Sequence, residues 1–466
     1  MARSPGDATL TGKGMTTRQS NHADPRADGI RSVTHIRSLL VAFVGAFIVG
    51  CTSVPSPSDL TGRVLAETRG VARGEASQEP PGIEGRDRLS EDEAVALALW
   101  NNAAFQEALA TLGFQRADLL LAGQLGNPSF VTLFPAGAKQ LQFTALLPVE
   151  AFWLRPRRVA VAKIDLESAS EQLVATGLDL VRNVRIAFVE LVLAEDRLKA
   201  ATQSVEVQER IADLTRRRFD AGDVAGLESD QAAAVALQSR QLLERHRRDE
   251  KLARARLRQL LGLREHDFLP ALVRAAIPAG PRIAEAELLR RALAARPELR
   301  ANELALQAAA KRGQLSKAEA FLVGAGFDVK GSPTGAQAGP GLNLTLPILN
   351  QNQGARARAE ASSHVLVRRH LALHDRIQLE VREALTRREH ALRELGLIRS
   401  RILPALESAA NHARQSLQAG EASPGAFLES ERRLADGQVL LAEAIAEVRR
   451  SEAEISRAVG RRFENP

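Results

Sequence analysis

Tyrosine is absent from this chain of 466 residues, aromatic side chains make up only 4% of it, and cysteine occurs once. So few rings are unusual for a compact α/β enzyme. One cysteine excludes an intramolecular disulfide and any zinc site built from cysteines. The short signatures of chemistry are missing too: there is no Walker loop and no HExxH, and Gly324-Ala325-Gly326 lies inside a strand pattern, where glycines mark close packing. Neither an enzyme nor a cofactor is expected. The formal charge of +7 raises nucleic acid as a partner, but the arginines are spread along helical segments beside glutamates and form no stripe. No nucleic-acid partner is expected.

What is present is Ala, Leu, Arg, Glu and Gln, the composition of long helices and coiled coils. Near the start, Arg31, His35 and Arg37 precede an apolar run over 39–49 that is too short to span a bilayer and has the layout of a secretory signal. The run ends Ile48-Val49-Gly50-Cys51, which resembles the lipobox of bacterial lipoproteins. That resemblance implies a covalent lipid on Cys51 as mature N-terminus, and Thr52 in place of Asp resembles lipoproteins sent to the outer membrane. Two acyl chains give stable anchoring. Residues 1–50 are thus read as a signal peptide with an N-terminal extension, Met1 or Met15 being the start, and 51–89 as a lipidated tether.

An internal repeat organises the rest. Residues 141–158 read LQFTALLPVEAFWLRPRR and residues 342–358 read LNLTLPILNQNQGARAR: each is an alternating strand, a Leu-Pro, a loop and a long helix. The first repeat, 90–262, opens with Ser90 and Glu93 in capping-box spacing. A helix to about 125 follows, then strands at 129–134 and 140–147, a long helix over 156–220 and a return helix over 227–261. The second, 283–461, is read as a helix to 320, strands at 322–330 and 341–346, a long helix over 354–419 kinked at Pro404, and a return helix over 426–460. A linker, 263–282, joins them, and 462–466 is a tail. Seven-residue series such as Val184, Leu191, Leu198 and Val205, or Ile377, Ala384, Ala391 and Ile398, mark coiled-coil seams. About 65 residues at 1.5 Å each give a helix of roughly 100 Å, longer than a globular domain needs.

The strands alternate: Leu342 and Leu344 with Asn343 and Thr345, and Val323, Ala325, Phe327 and Val329 with Gly324, Gly326, Asp328 and Lys330. One apolar and one polar face suits a membrane barrel with an aqueous lumen. Four strands cannot close such a barrel, since the smallest have about eight. Several chains must pool their strands.

In this order of elements, with both strand-Leu-Pro junctions and both Ala-Gly turns, the chain from 90 to about 460 resembles TolC-family outer-membrane factors, the exit ducts of efflux pumps and type I secretion systems. The resemblance implies a mainly α fold with a long coiled-coil α-barrel, an internal two-fold repeat, and four strands per chain contributing to a twelve-stranded trimeric β-barrel. It implies a homotrimer in the outer membrane with a periplasmic tube, a periplasmic adaptor and an inner-membrane pump as partners, and passive conduction of drugs, metal ions or other small molecules. It places Pro148, Pro347 and Gly354 at the barrel-tube junction, the run from Leu346 to Gly354 resembling the heavy-metal pump branch. Gly222, Asp223, Gly420 and Glu421 fall at the periplasmic tip that meets the adaptor. The family's acidic pore ring lies six and nine residues after the second glycine; here those positions are Ala426 and Glu429, so Glu429 is the candidate constriction residue. No metal site is expected; His370 and His374, one turn apart, are the candidates should one exist. The alternative from another class is a non-channel structural or adaptor coiled-coil lipoprotein, and a type I secretion duct also fits.

Overall fold

The computed structural model describes residues 87–134, 140–264, 267–274, 284–332, 335–419 and 421–460. The expected signal segment, nearly all of the tether, Cys51, Gly420 and the tail lie outside the described residues.

The first repeat opens at the expected capping box: the Ser90 hydroxyl accepts the Glu93 amide at 3.3 Å, and Glu93 accepts the Ser90 amide at 2.8 Å. Helix α1 (Glu91–Asn101) then stops, and the single helix expected up to 125 proves to be two. Asn102 is extended (ψ 117°) and caps α2 (Ala103–Gly123) by accepting the Phe105 amide at 3.0 Å; its Nδ2 donates to the Leu260 carbonyl. The helix expected over 283–320 breaks likewise at Arg296 into α5 (Glu285–Ala295) and α6 (Pro297–Ala318). There Pro297 bars its predecessor from helical geometry and suits the first helical position itself. Each break receives the end of a return helix. Gly262 closes α4 (Gly226–Leu261) in left-handed geometry, and a Cβ on it would overlap the Asn101 carbonyl. Gly460 does the same after α9 (Pro424–Val459) beside Ala295.

Helix α3 (Ala151–Asp220) is 70 residues long, about 105 Å at 1.5 Å per residue. It begins ahead of the expected Pro156, which sits in its second turn and leaves the Phe152 carbonyl without its helical donor. Val184, Leu191 and Val205 of its heptad series are buried, Leu198 and Ala212 are half-buried, and Phe219 is exposed. The seam thins toward the turn. In the second repeat, α7 (Gln353–Leu397) and α8 (Leu403–Gln418) are joined by a π-helical turn, Ile398–Ile402, in which the Leu403 amide donates to the Ile398 carbonyl. This wide turn immediately precedes Pro404, which cannot donate to the chain behind it.

Two main cores hold the molecule. In the first, Leu97 and Ala98 of α1, Val184, Phe188 and Leu191 of α3, and Leu257 and Leu261 of α4 pack together. In the second, Leu288 and Ala292 of α5, Ile377, Val381 and Ala384 of α7, and Ile455 and Val459 of α9 repeat the arrangement. A short parallel pair, β1 (Arg88–Leu89) with β4 (Ala271–Leu272), lets the stretch read as a linker cover the first core.

The remaining strands, β2 (Ser129–Leu133), β3 (Gln142–Pro148), β5 (Leu322–Ser332) and β6 (Gly335–Thr345), form one antiparallel sheet in that order. Strand β6 begins six residues ahead of the expected 341. Its early half, with Gly335, Gly339 and Pro340, has the composition of a turn, and an edge strand tolerates the proline. No helix among the described residues is long and apolar enough to cross a membrane.

Candidate functional site: sheet, junctions and helix tips

Register turns the alternation of single strands into faces. Phe143, Ala145 and Leu147 of β3 lie opposite Val329, Phe327 and Ala325 of β5, which lie opposite Ala338, Pro340 and Leu342 of β6. Phe130 of β2 continues the row beside Ala145. Phe130, Phe327, Leu342 and Leu344 are exposed, so nothing among the described residues covers the row. The other face carries a polar knot across the β3–β5 seam. Asp328 Oδ1 accepts Thr144 Oγ1 at 2.8 Å and Gln142 Nε2 at 2.9 Å, and Lys330 Nζ stands 3.5 Å from Oδ2. That seam is where the two repeats meet. The outer edges of β2 and β6 have no strand partner among the described residues.

At the first junction β3 ends on Pro148, against which Gly126 packs so closely that a Cβ would lie 2.9 Å from the ring. The Val149 and Glu150 amides both donate to the Val323 carbonyl, at 3.0 and 3.1 Å, and α3 starts at once. Arg155 Nε reaches back to the Gly123 carbonyl at 2.6 Å and Arg158 to that of Gln124, satisfying the end of α2. At the second junction Pro347 leads into a tight turn closed by the Ile348 amide on the Leu346 carbonyl. Asn352 then takes left-handed geometry (φ 60°), accepts the Arg356 amide on its carbonyl and donates Nδ2 to the Ser316 carbonyl at 3.0 Å. Gly354 follows in the first turn of α7 with open space around it. Arg155 and Asn352 were not singled out in the sequence; an Asn among polar residues before a helix is the one signal that pointed to the latter.

At the opposite end of α3, Gly222 (φ 85°) closes the helix in a Schellman turn. Its amide donates to the Phe219 carbonyl at 2.9 Å and the Asp223 amide to that of Arg218 at 2.8 Å. The second turn makes the equivalent bond from the Glu421 amide to the Ser416 carbonyl at 2.8 Å. Asp223 and Glu421 are exposed. Glu429, two turns up α9, is bound at 2.9 and 3.0 Å by Arg432 and at 3.1 Å by Arg433. The Arg432 hydrogen bond, with Arg433 beside it, holds this carboxyl below the usual range against a weaker opposing push from burial.

His370 and His374 are half-buried on α7, and His374 Nδ1 lies 3.1 Å from Gln378 Nε2. Among the described residues no group of three or more His, Cys, Asp or Glu side chains is placed to hold a metal.

A charge network at the second break ties the repeats together. Buried Arg296, standing where the first repeat has Asn102, donates to the Ala458 carbonyl at 2.9 Å and pairs with Glu298 and Glu380. Burial lowers its pKa to about 10, so it keeps its proton at neutral pH. Arg457 pairs with Glu298 and, across the repeats, with Asp179 of α3 at 2.7 Å.

Residues 95–263 match the family described as "Outer membrane efflux protein". The chain is 23% identical over 385 residues to the cobalt-zinc-cadmium resistance protein CzcC of Cupriavidus metallidurans, over 80% of this chain and 90% of the relative. The solved structure of CusC is similar, with a TM-score of 0.63 and 20% identity over 80% of this chain and 92% of that one. The CmeC outer membrane channel of Campylobacter jejuni gives 0.66 and 14%, over 79% and 85%. The open-state MtrE outer membrane channel of Neisseria gonorrhoeae gives 0.62 and 16%, over 80% and 90%. These likenesses show the fold.

Proposed function

We propose that this chain, which belongs to the outer membrane efflux protein family, assembles as a homotrimer into an exit duct across the outer membrane. A periplasmic adaptor and an inner-membrane pump are its partners, and it performs no chemistry itself. The observation that carries the reading is the sheet: one apolar face and two edges left uncovered among the described residues, and an opposite face bearing Gln142, Thr144, Asp328 and Lys330, standing on a helix of 70 residues. Exposed apolar sheet in water is a liability that lipid removes, and open edges are abolished by closure. Each strand of one chain then needs a neighbour from the next.

Gly222, Asp223 and Glu421 lie at the far end of the hairpins from the sheet and are, with Gly420 beside Glu421 in the sequence, the proposed adaptor contact. Glu429 is the proposed constriction residue, and Cys51 the lipidated anchor. Cargo follows the pump. The relative CzcC is named for cobalt, zinc and cadmium resistance, which makes metal cations the first cargo to assay, with drugs next. A structural or adaptor lipoprotein needs neither two long hairpins nor an amphipathic sheet.

Purified protein added to planar lipid bilayers is expected to insert as a trimer and give discrete conductance steps. Protein that stays monomeric in detergent and passes no current would overturn the duct.

A further inference from the structure

We propose that the level where sheet becomes tube is a binding surface for anionic phospholipid headgroups of the facing leaflet, an inference that rests on the outer-membrane reading above. Its first support is the order of side chains. In α3, exposed Phe152 and Trp153 come first, and Arg157 follows Trp153 by one turn on the same helix face. In the second repeat Ile348 and Leu349 come first, Leu349 being 92% exposed, and Arg356 and Arg358 follow in the opening turns of α7. Both repeats step from apolar anchor to cation in moving away from the sheet, the sequence met in passing from acyl chains to headgroups.

The second support is pairing. Many arginines along the tube meet carboxylates, as Arg185 meets Glu91, Arg197 meets Glu443 and Arg387 meets Glu454, while others such as Arg245, Arg256 and Arg401 pair with none among the described residues. Arg157, Arg356 and Arg358 have no ion-pair partner among the described residues. The third is a recess of about 660 Å³ between α2, α3, α6 and α7 at this level, whose charged lining is Arg158, Arg312 and Arg358 against Asp165 and Glu319, three cations to two carboxylates. Arg312 is engaged by Asp165, but Arg158 Nε is buried there without a hydrogen-bond partner. A phosphodiester supplies the acceptors these guanidinium groups lack, and a zwitterionic headgroup brings its own cation in competition.

The test reconstitutes the full-length trimer into vesicles of phosphatidylcholine alone and of phosphatidylcholine mixed with phosphatidylglycerol. Lipid retained through detergent extraction is counted by native mass spectrometry. Retention of phosphatidylglycerol over phosphatidylcholine is expected at roughly fivefold per engaged cation, falling with added salt. The triple variant Arg157→Gln, Arg356→Gln, Arg358→Gln is expected to lose the preference while keeping its conductance. Wild-type trimers that conduct but retain both lipids equally would overturn the lipid surface alone. A chain that neither inserts nor conducts overturns the duct reading instead. A triple variant that fails to assemble is replaced by Arg157→Gln alone and by Arg356→Gln with Arg358→Gln, each expected to lower the preference in part; a preference unchanged in the triple variant, or in both of these, overturns the site.

Discussion

Glu429 illustrates how a single residue's neighbours set its meaning. By spacing from the second turn it is the one acidic residue in the pore-ring pattern, Ala426 having taken the other position. Three such carboxylates brought close would raise one another's pKa, yet within each chain Arg432 and Arg433 hold the group down. A carboxyl depressed in this way stays ionised through the neutral range, so no pH-dependent change at this residue is expected between about pH 5 and 8. Removing its charge leaves two guanidinium groups without their offset. Glu429→Gln is therefore expected to shift the reversal potential of single channels in asymmetric KCl toward anion preference, with folding unchanged. An unaltered reversal potential would remove Glu429 from the pore lining. The arginines were invisible to motif spacing, because i+3 and i+4 neighbours on a helix read as ordinary solvated charge until the rotamers are seen.

Between elements, the repeats agree where backbone geometry rules and differ where charge has been substituted. Both return helices end on a left-handed glycine two residues past a carbonyl that is capped from the break opposite, Leu260 by Asn102 and Ala458 by Arg296. The first cap is neutral; the second puts a buried cation among Glu298, Glu380 and Arg457. Burial alone would raise the Glu298 pKa, but the Arg457 hydrogen bond and charge outweigh it and the net shift is downward. A depressed carboxyl contributes stability above its unfolded value, near 4.3, and that contribution is lost as pH falls through the lower folded value. Glu298→Gln is expected to cost about 3 kcal/mol in denaturant unfolding at pH 7, because two buried guanidinium groups lose a shared acceptor. The cost should shrink below about pH 4; equal costs at pH 7 and pH 3 would mean that packing, not charge, is at stake. The hairpins, strands and caps were legible from period and punctuation, Ser90-Glu93 and Gly262 most plainly. Pro297 marks the break at Arg296 locally, and the bond to Ala458 only secures it. The break at Asn102 was not legible, since α1–α2 keep one composition across it and a long-range bond to Leu260 decides where the helix stops. Strand β4 escaped notice for the same reason: two residues owe their pairing to the core beneath.

For the whole molecule, the strand count fixes what a single chain cannot do. Two hairpins of unequal length, β2–β3 short and β5–β6 with 11 residues each, meet at the Asp328 knot, so each chain contributes a fixed stave with free edges. Closure by chain addition places β6 of one copy against β2 of the next, antiparallel, because the strands alternate in direction along β2-β3-β5-β6. The face of the Asp328 knot must remain on one side, which restricts partners of Val131 on β2 to alternate residues of β6 from Gly335 to Thr345, of which Gln337, Gly339, Gly341 and Asn343 lie clear of the strand ends. Directly opposite side chains in an antiparallel pair have Cβ atoms about 5 Å apart, within reach of a disulfide after small adjustment. The lipid proposed on Cys51 occupies the sole native cysteine sulfur, so Val131→Cys combined in turn with cysteine at each of those four positions is expected to give dimer and trimer bands on non-reducing gels only through the introduced pair. One register should dominate and its neighbours on the same face should crosslink weakly. Closed trimers require all three seams to be alike, so complete oxidation should carry the dominant variant to a trimer resistant to heat in detergent. If all four combinations stay monomeric under oxidation while the protein still conducts, the barrel closes by another pairing, and the edges of β2 and β6 are not the seam between copies.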